Sequence, residues 1–351
     1  MNRGIAVLAV AAAVACPSFA AAQRTGLPPG LTAHVQPVSG GFIDWAEGVI
    51  LAEGKGFAET RDDQGQLMAQ RAATVDASRN ALAIALGVPL DGTALVGGAG
   101  DARVKMQGVI RAHQVKDAEY FPNETPPRAR VILRVPFWGA KGVATVFYEK
   151  QRGVAARRAN RLPLIADEVD VSDSVLIIDA RGRKTVPCLF PVVVDGKDRV
   201  VYDVSRVVGD GRDRGPVVRY VESRLTFQEL SAVLEEPALQ PRLASHHPND
   251  PPAAPAAGPP ASQPTTQPGP EDVSGKRRRR RIVVKAADAG AASDTQIVLT
   301  AEDAEALRQT PEGASLLRSG RVVVVVDSAA AGIEGCGPAA EDETQIARAI
   351  P

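Results

Sequence analysis

The residue types that most often bind metals or transfer protons are scarce in this chain of 351 residues, which has only four histidines. His34 and His113 stand alone, and His246 and His247 are adjacent in a proline-rich stretch. A histidine pair on one helix face, cysteines at zinc spacing or a Gly-x-Ser-x-Gly turn would indicate a metal centre or a hydrolase, and the sequence contains none of these motifs. The sequence therefore predicts no catalytic residues, no cofactor and no dedicated metal site.

Three glycine-rich or aspartate-rich stretches resemble ligand loops only in composition. Residues 97–100 lack the lysine and the Ser/Thr of a phosphate loop, and a strand rather than a helix is predicted to follow them. Residues 195–198 and 210–213 each hold two aspartates, but without the alternating oxygen ligands of a calcium loop. We interpret all three stretches as turns.

Arg79 is a candidate for a structural ion pair. It falls on the same predicted helical stripe as several apolar residues, where a desolvated charge needs a partner. We hypothesise that its guanidinium pairs with Asp44 or Glu47 from the first strand region and so fixes the helix on the sheet. The alternative is a side chain whose long stem reaches solvent at the edge of the stripe.

A run of six cations follows the proline-rich stretch. It consists of Lys276, Arg277, Arg278, Arg279, Arg280 and Arg281. The run is either a solvated segment or a contact for an anionic envelope polymer or lipid surface. Net charge does not distinguish the two, because 41 basic residues balance 41 acidic ones.

Residues 1–22 are typical of an export signal. Arg3 is their only charged residue, an unbroken apolar run follows from Gly4 to Ala15, and small residues close the segment. We therefore expect an exported protein in the periplasm or associated with the outer membrane. In that compartment nucleic acid is not an expected partner.

The three cysteines raise the questions of lipidation and of a disulfide. Cys16 follows a loose lipobox, but Ala13 replaces the usual leucine and Pro17 comes directly after the cysteine, so ordinary cleavage is favoured over lipidation. Cys188 and Cys336 would remain after cleavage and could pair in an oxidising compartment. The alternative is a buried Cys188 and a free Cys336 thiol.

The N-terminal half has the pattern of a helix on a sheet. A strand over 49–52 should end at Gly54 and Gly56, and a long amphipathic helix is expected over 65–86. The predicted inward stripe of that helix comprises Met68, Ala72, Val75, Leu82 and Leu86. Alternating residues over 104–110 and 129–137 predict two hairpin strands, joined by a proline-rich loop. The expected fold class is α+β, with the helix packed on a small, mostly antiparallel sheet.

Several stretches resemble one known family. They are residues 45–50, 69–82, 104–115 and 131–136. Together they resemble the domain of the twenty-kilodalton bacterial surface lipoproteins, to which the N-terminal modules of some flagellar outer-membrane-ring assembly proteins are related. The resemblance covers about residues 41–140 and implies an exported envelope protein without enzymatic activity, often linked to motility or surface structures. Family members carry a firm lipobox, so membrane anchoring does not carry over to this chain.

A second, α/β unit is expected over 148–245 and 281–328, after a first domain over 41–147. Its predicted elements are strands at 175–182, 191–194, 200–202, 296–299 and 321–327 and a helix at 301–308. Residues 246–280 are predicted to form a disordered Pro-rich and basic insert, because their composition cannot bury enough apolar surface to offset the entropy of ordering. The insert should interrupt the second unit, since the strands after it need partners from before it. Residues 329–351 are expected to form a flexible tail.

Together these features favour an exported, non-enzymatic envelope protein that is a structural or assembly module, and the family resemblance implies a link to motility. The expected partners are envelope proteins or an anionic envelope surface, with no transmembrane span in the mature chain. The alternative is an exported small-ligand binder or enzyme whose site consists of dispersed polar residues. A structure that gathered Asp179, Arg181 and His113 would favour that alternative.

Overall fold

The computed structural model of the protein describes Leu27 and residues 30–98, 100–113, 115–172, 174–208, 216–235, 281–287 and 293–328. Over these residues the chain has an α+β fold, which confirms the predicted fold class. No helix in the described ranges combines the length and the apolar character needed to cross a membrane. The predicted export signal, the Pro-rich insert and the predicted tail lie outside the described residues.

A five-stranded antiparallel sheet forms from the first part of the chain. After β1 (Leu31–Ala33), which joins a different sheet, its strands are β2 (Val35–Val38), β3 (Gly41–Asp44), β4 (Val49–Phe57), β5 (Val115–Phe121) and β6 (Arg128–Pro136). Their spatial order is β2-β3-β4-β6-β5. Every second residue of β6 from Ala129 to Val135 is buried, and the residues between are half-buried or exposed. One face of this sheet therefore packs on the core, as period-2 alternation predicts.

The helix α1 (Asp63–Gly87) packs on that face, against β4 and β6, and confirms the helix predicted over 65–86. Asp62 caps it, because its carboxylate accepts a hydrogen bond of 2.8 Å from the Gly65 amide. The stripe that contacts the sheet differs from the predicted one. Small residues are buried at every fourth position, namely Gly65, Ala69, Ala73, Ala77, Ala81 and Ala85, together with Ile84. Met68, Ala72 and Val75 are exposed, so their assignment to the core was wrong.

Two glycines of β4 explain why small residues face the sheet. A Cβ on Gly54 or Gly56 would collide with the backbone of α1 at Ala73. Helix and strand therefore lie closer together than larger side chains would permit. The strand also continues through both glycines to Phe57, so the expectation that it ends there was wrong.

The strand predicted over 104–110 is instead a helix, α2 (Ala102–Arg111), which packs beside α1. Ala102, Met106 and Ile110 are buried at four-residue spacing, whereas Val104 is 73% exposed. The short alternation thus coincided with a helical stripe. The hairpin partner of β6 is β5, and the proline-rich loop joins these two strands.

A second five-stranded sheet contains four parallel strands. They are β7 (Val175–Asp179), β10 (Val218–Ser223), β11 (Arg281–Lys285) and β13 (Val322–Val326), in the spatial order β1-β10-β13-β7-β11, with β1 antiparallel at one edge. All five valines of β13 are buried, which confirms the prediction of a strand covered on both faces. Both β11 and β13 pair with β7, so the strands after the insert find partners from before it, as predicted.

The remaining elements complete the second half of the chain. They are the helices α3 (Thr145–Ala156), α4 (Phe227–Glu235), α5 (Ala301–Gln309) and α6 (Pro311–Ser319) and a small sheet in the order β12-β8-β9, formed by β8 (Val192–Asp195), β9 (Val200–Tyr202) and β12 (Gln296–Leu299). The predicted hairpin between β8 and β9 is confirmed. So is the cap of α5, because the Thr300 hydroxyl accepts a hydrogen bond of 3.1 Å from the Asp303 amide.

One hydrophobic core joins the sheets. Trp45 lies in the loop after β3. The centroid of its ring is 5.3 Å from that of Phe137 and 5.6 Å from that of Tyr220 in the second sheet. Trp138 lies 5.7 Å from Phe190 in an edge-to-face contact. The first and second halves therefore share buried aromatic packing across the boundary that the sequence predicted between them.

Candidate functional site

The carboxyl ends of the parallel strands meet at one edge of the second sheet, where open α/β sheets most often bind ligands. Asp179 ends β7 and is 5% exposed. Arg181 follows it and forms a bidentate ion pair, with Nε 2.8 Å from Oδ1 and Nη2 2.6 Å from Oδ2 of Asp179. These are two of the three residues whose convergence would favour a reactive site.

The remaining donors of Arg181 go to the main chain. Its Nη1 donates to the carbonyl oxygen of Ser223 at 3.1 Å and also to that of Leu225, just beyond β10. The hydrogen bonds to Asp179 raise the pKa of the Arg181 guanidinium above its ordinary value. Asp327, after β13, accepts hydrogen bonds of 3.1 and 2.9 Å from the Gly182 amide. The polar groups at this edge thus tie three strands together.

The histidines contribute elsewhere in the fold. His113 is not among the described groups bonded to Asp179 or Arg181, and its Nε2 lies 2.9 Å from the carbonyl oxygen of Lys141. His34 is buried, with Nδ1 2.9 Å from Oε1 of Glu222. His246 and His247 lie outside the described residues. The described part of the chain also contains no group of three or more His, Cys, Asp or Glu residues that could hold a metal ion.

The proposed partners of Arg79 have other roles. Asp44 is buried, and its Oδ1 accepts hydrogen bonds from the amides of Ala46 and Glu47 at 3.1 and 3.0 Å. The Glu47 carboxylate lies 3.6 Å from the Arg134 guanidinium. Arg79 itself is exposed on the surface of α1, so the desolvation that would have required a partner does not occur. Its location corresponds to the alternative in which the side chain reaches solvent.

The structure describes two of the three ligand-like stretches, residues 195–198 in full and residues 97–100 in part. Asp195 accepts hydrogen bonds from the amides of Lys197 and Arg199 at 3.0 and 2.9 Å, which closes the turn between β8 and β9. Residues 97 and 98 form part of a short 3-10 helix (Val96–Gly98) ahead of α2, so the element that follows is a helix and not the predicted strand. Residues 210–213 lie outside the described residues.

Cys188 is a free, buried thiol. This agrees with the alternative in which Cys188 is buried rather than disulfide-bonded. Its Sγ lies 3.7 Å from the Tyr220 hydroxyl. Burial raises the pKa of Cys188 to about 12, so the thiol stays protonated and unreactive near neutral pH. Cys16 and Cys336 lie outside the described residues, and lipidation of Cys16 stays a prediction.

Only the last cation of the basic run is described. Arg281 is the first residue of β11, is half-buried and pairs in register with Val175 of β7. It therefore belongs to the sheet rather than to a freely solvated run. Lys276 to Arg280 lie outside the described residues, and their proposed contact with an anionic surface stays a prediction.

Arginines also secure the extended connection between α3 and β7, a feature that the sequence analysis missed. Arg318 donates to the carbonyl oxygens of Ile165 and Asp167, and Arg308 donates to that of Pro163. Arg206 donates to Leu162, and burial lowers the pKa of this guanidinium to about 10. No local pattern signals these contacts, because donors and acceptors can be about 150 residues apart in the chain.

The first sheet has an open face, turned away from α1, on which charges are paired. Its ion pairs are Arg128–Glu124, Arg130–Glu53, Arg130–Glu119, Arg134–Glu47 and Lys55–Glu53, with closest distances of 2.7, 3.1, 3.8, 3.6 and 3.8 Å. The register places Arg130 between Lys55 of β4 and Glu119 of β5. This face is therefore a mixed and internally neutralised surface.

The surface of α1 that faces away from the sheet has a different composition. The outer face of α1, as we name it, consists of the exposed residues Gln64, Leu67, Met68, Arg71, Ala72, Val75, Arg79 and Ala83. It combines large apolar side chains with two cations, and the exposed acidic residue of α1, Asp63, lies just before it at the first position of the helix. The four-residue spacing of small residues from Gly65 to Ala85 was the signal that could have placed these side chains outside.

Comparison with known proteins gives one partial match. A protein-family model described as "Treponema pallidum Tp0624, second domain" matches residues 269–328. The described part of that stretch contains β11, β12, α5, α6 and β13. No curated protein matches the chain. Over residues 269–328 the chain is therefore similar to the second domain of Treponema pallidum Tp0624.

Proposed function

We propose that this protein is an exported, non-enzymatic component of the cell envelope that acts as a structural or assembly module. The observation that carries the proposal is the arrangement at the carboxyl edge of the second sheet. There Arg181 forms an ion pair with Asp179 and donates hydrogen bonds to the main chain at Ser223 and Leu225, at the end of β10. These contacts occupy the polar groups that would otherwise be available to a ligand or substrate. Groups engaged in this way stabilise strands rather than transfer protons.

The export pattern of residues 1–22 and the resemblance over 41–140 to surface lipoproteins and flagellar ring-assembly modules support the same proposal. Surface or motility structures are the assemblies to which such a module would belong. Its partners in this proposal are envelope proteins or the anionic envelope surface.

One observation favours a second candidate, a small-ligand-binding protein. Asp179, Arg181 and Asp327 converge at the edge where such sheets commonly bind ligands. A ligand would have to displace the Arg181 contacts with Ser223 and Leu225. Binding of a defined metabolite by the purified protein, abolished by Arg181→Lys, would favour this candidate over the assembly module.

The decisive experiment is fractionation of cells that express the full chain, combined with mass spectrometry of the N-terminus and cross-linked affinity purification. We expect a processed chain that begins at Ala21 or Gln23, recovered from the periplasm or the envelope with defined envelope proteins. A lipid-modified Cys16 at the N-terminus would retain the envelope location and establish an anchor. Intact, unprocessed protein in the cytosol would overturn the proposal.

A further inference from the structure

We infer that the outer face of α1 docks on the surface of an anionic lipid bilayer. Leu67, Met68 and Val75 are 54%, 57% and 52% exposed, although a soluble helix usually turns such side chains inward. Arg71 and Arg79 are exposed on the same face. A helix face that presents both cations and apolar side chains matches the chemistry of a membrane interface.

The spacing of these residues suits a helix that lies flat on the bilayer. Leu67, Arg71, Val75 and Arg79 follow one another at four-residue intervals, so apolar and cationic side chains alternate about every 6 Å along one row. Long arginine stems allow the guanidinium groups to reach lipid phosphates while the neighbouring apolar side chains enter the acyl boundary. The helix can therefore make both types of contact in a single orientation.

The charges of this face are available for an external partner. Neither Arg71 nor Arg79 is ion-paired to another described residue, and the exposed acidic residue of α1, Asp63, lies two helical turns before Arg71. On the open face of the first sheet, by contrast, Arg130 already contacts both Glu53 and Glu119. An anionic surface would therefore gain more from the outer face of α1 than from the open sheet face.

The neighbouring helix extends the same chemistry. Val104 of α2 is 73% exposed, and Arg103 and Arg111 are also exposed. The exposed positions of α2 include no acidic residue, and its Lys105 is paired with Asp101 at 2.8 Å, just before the helix. Apart from Asp63 and Asp101 at the N-terminal ends of the two helices, the exposed charged residues of α1 and α2 are thus basic.

A bilayer fits this face better than a second copy of the chain. In a two-fold self-contact Arg71 and Arg79 would meet the same cations of the other copy, and like charges repel.

The test compares binding of the full processed chain to vesicles of phosphatidylcholine alone and of equal parts phosphatidylcholine and phosphatidylglycerol. We expect binding only to the anionic vesicles, weakened about tenfold by the double substitution Arg71→Gln with Arg79→Gln. Lys55→Gln with Arg134→Gln is the matched control, because it removes two exposed cations from the opposite sheet face. The control should retain most of the binding, since its charges lie away from the contact.

A second pair of variants tests the apolar part of the contact. Met68→Gln with Val75→Gln should also weaken binding to anionic vesicles, whereas Val154→Gln with Val208→Gln, at exposed valines elsewhere, should not. All four substituted positions are at the surface, so thermal melting should change little and will reveal any variant that fails to fold. Equal binding by the α1 variants and their controls would overturn the inference.

The inference rests on the proposed envelope location, and its failure is distinguishable from failure of that proposal. If the protein is processed and located in the envelope but binds neither vesicle type, only the lipid contact is overturned. A cross-link from α1 to an acidic protein would likewise overturn the lipid contact and assign this face to a protein partner. Cytosolic, unprocessed protein overturns the proposed function whatever the vesicles show. The α1 variants can also be made in a chain in which serine replaces Lys276 to Arg280. Their binding to anionic vesicles then reports the contribution of α1 without that of the basic run.

Discussion

Gly54 of β4 lies directly beneath Ala77 of α1, so close that a Cβ on Gly54 would approach the Ala77 Cβ to 2.7 Å. The backbone of the helix at Ala73 is nearer still. This approach places a row of alanines against the sheet and leaves Met68 and Val75 on the outside. Both the packing of the first sheet and the proposed lipid contact depend on this relationship.

The substitution Gly54→Ala should therefore push α1 away from the sheet. We expect a loss of about 3 kcal/mol in the free energy of unfolding, measured by urea denaturation, because the new methyl group would meet helix backbone that cannot move independently. Gly108→Ala is the control, since Gly108 lies in α2 with open space around its Cα. That substitution should raise stability by up to about 1 kcal/mol through helix propensity. Equal effects of the two changes would contradict the close approach.

Arg181→Ala should destabilise the second sheet. It leaves the buried Asp179 carboxylate without its cation and removes the donors that reach Ser223 and Leu225, for an expected loss of about 3 kcal/mol. Arg224→Ala removes an exposed guanidinium close to the same edge and should cost less than about 0.5 kcal/mol. If unfolding curves of the two variants coincide, the Arg181 contacts do not hold the strands together.

Cys188 should resist thiol reagents in the folded protein. In a chain that lacks residues 1–22 and carries Cys336→Ser, Cys188 is the only cysteine, and its burial and raised pKa predict labelling at pH 8 only as fast as the protein unfolds. Urea should accelerate the reaction in step with the unfolded fraction. Rapid labelling without urea would show that the thiol is accessible.

The same thiol should make stability depend on alkaline pH. Its pKa is about 12 in the folded protein against an ordinary value of 9.0, so the unfolded chain releases the proton first. The contribution of the buried, protonated thiol to the free energy of unfolding is therefore fully present below about pH 9 and is lost as the pH rises toward 12. Cys188→Ala should remove up to about 1.4 kcal/mol per pH unit from that slope, measured by urea denaturation across the interval. A slope that the substitution leaves unchanged would contradict the buried thiol.

Replacement of Lys276 to Arg280 by serine should weaken binding to anionic vesicles and reduce its dependence on salt, because each cation near an anionic surface contributes about 1 kcal/mol. Arg281 is kept, since it is part of β11. The expected effect is at least about tenfold in affinity, with an unchanged melting temperature. Full binding by the serine variant would exclude the run as a surface contact.

Most element types follow from local patterns in the sequence. The alternation in β6, the five valines of β13, the turn at Asp195 and the Thr300 cap of α5 each occur where those patterns predict them. Short-range chemistry is sufficient in these cases, because neighbouring residues supply both the donor and the acceptor or the whole period of burial. The stretch over 104–110 shows the limit, since ten residues are too few to separate alternation from a four-residue helical stripe.

The sequence by itself determined the fold class, the helix after Asp62, the hairpin of β8 and β9 and the need for β11 and β13 to find partners before the insert. Only the tertiary structure decided which face of α1 is buried, that Arg79 is exposed, and that Arg181 bonds to the main chain beyond β10. Helical periodicity defines a stripe from the size and polarity of its residues, but the distance to the opposing strand decides which stripe fits. Here two glycines of β4 admit the row of small residues and exclude the larger side chains, so the spacing of the small residues within α1 has meaning only together with the glycines of the opposing strand.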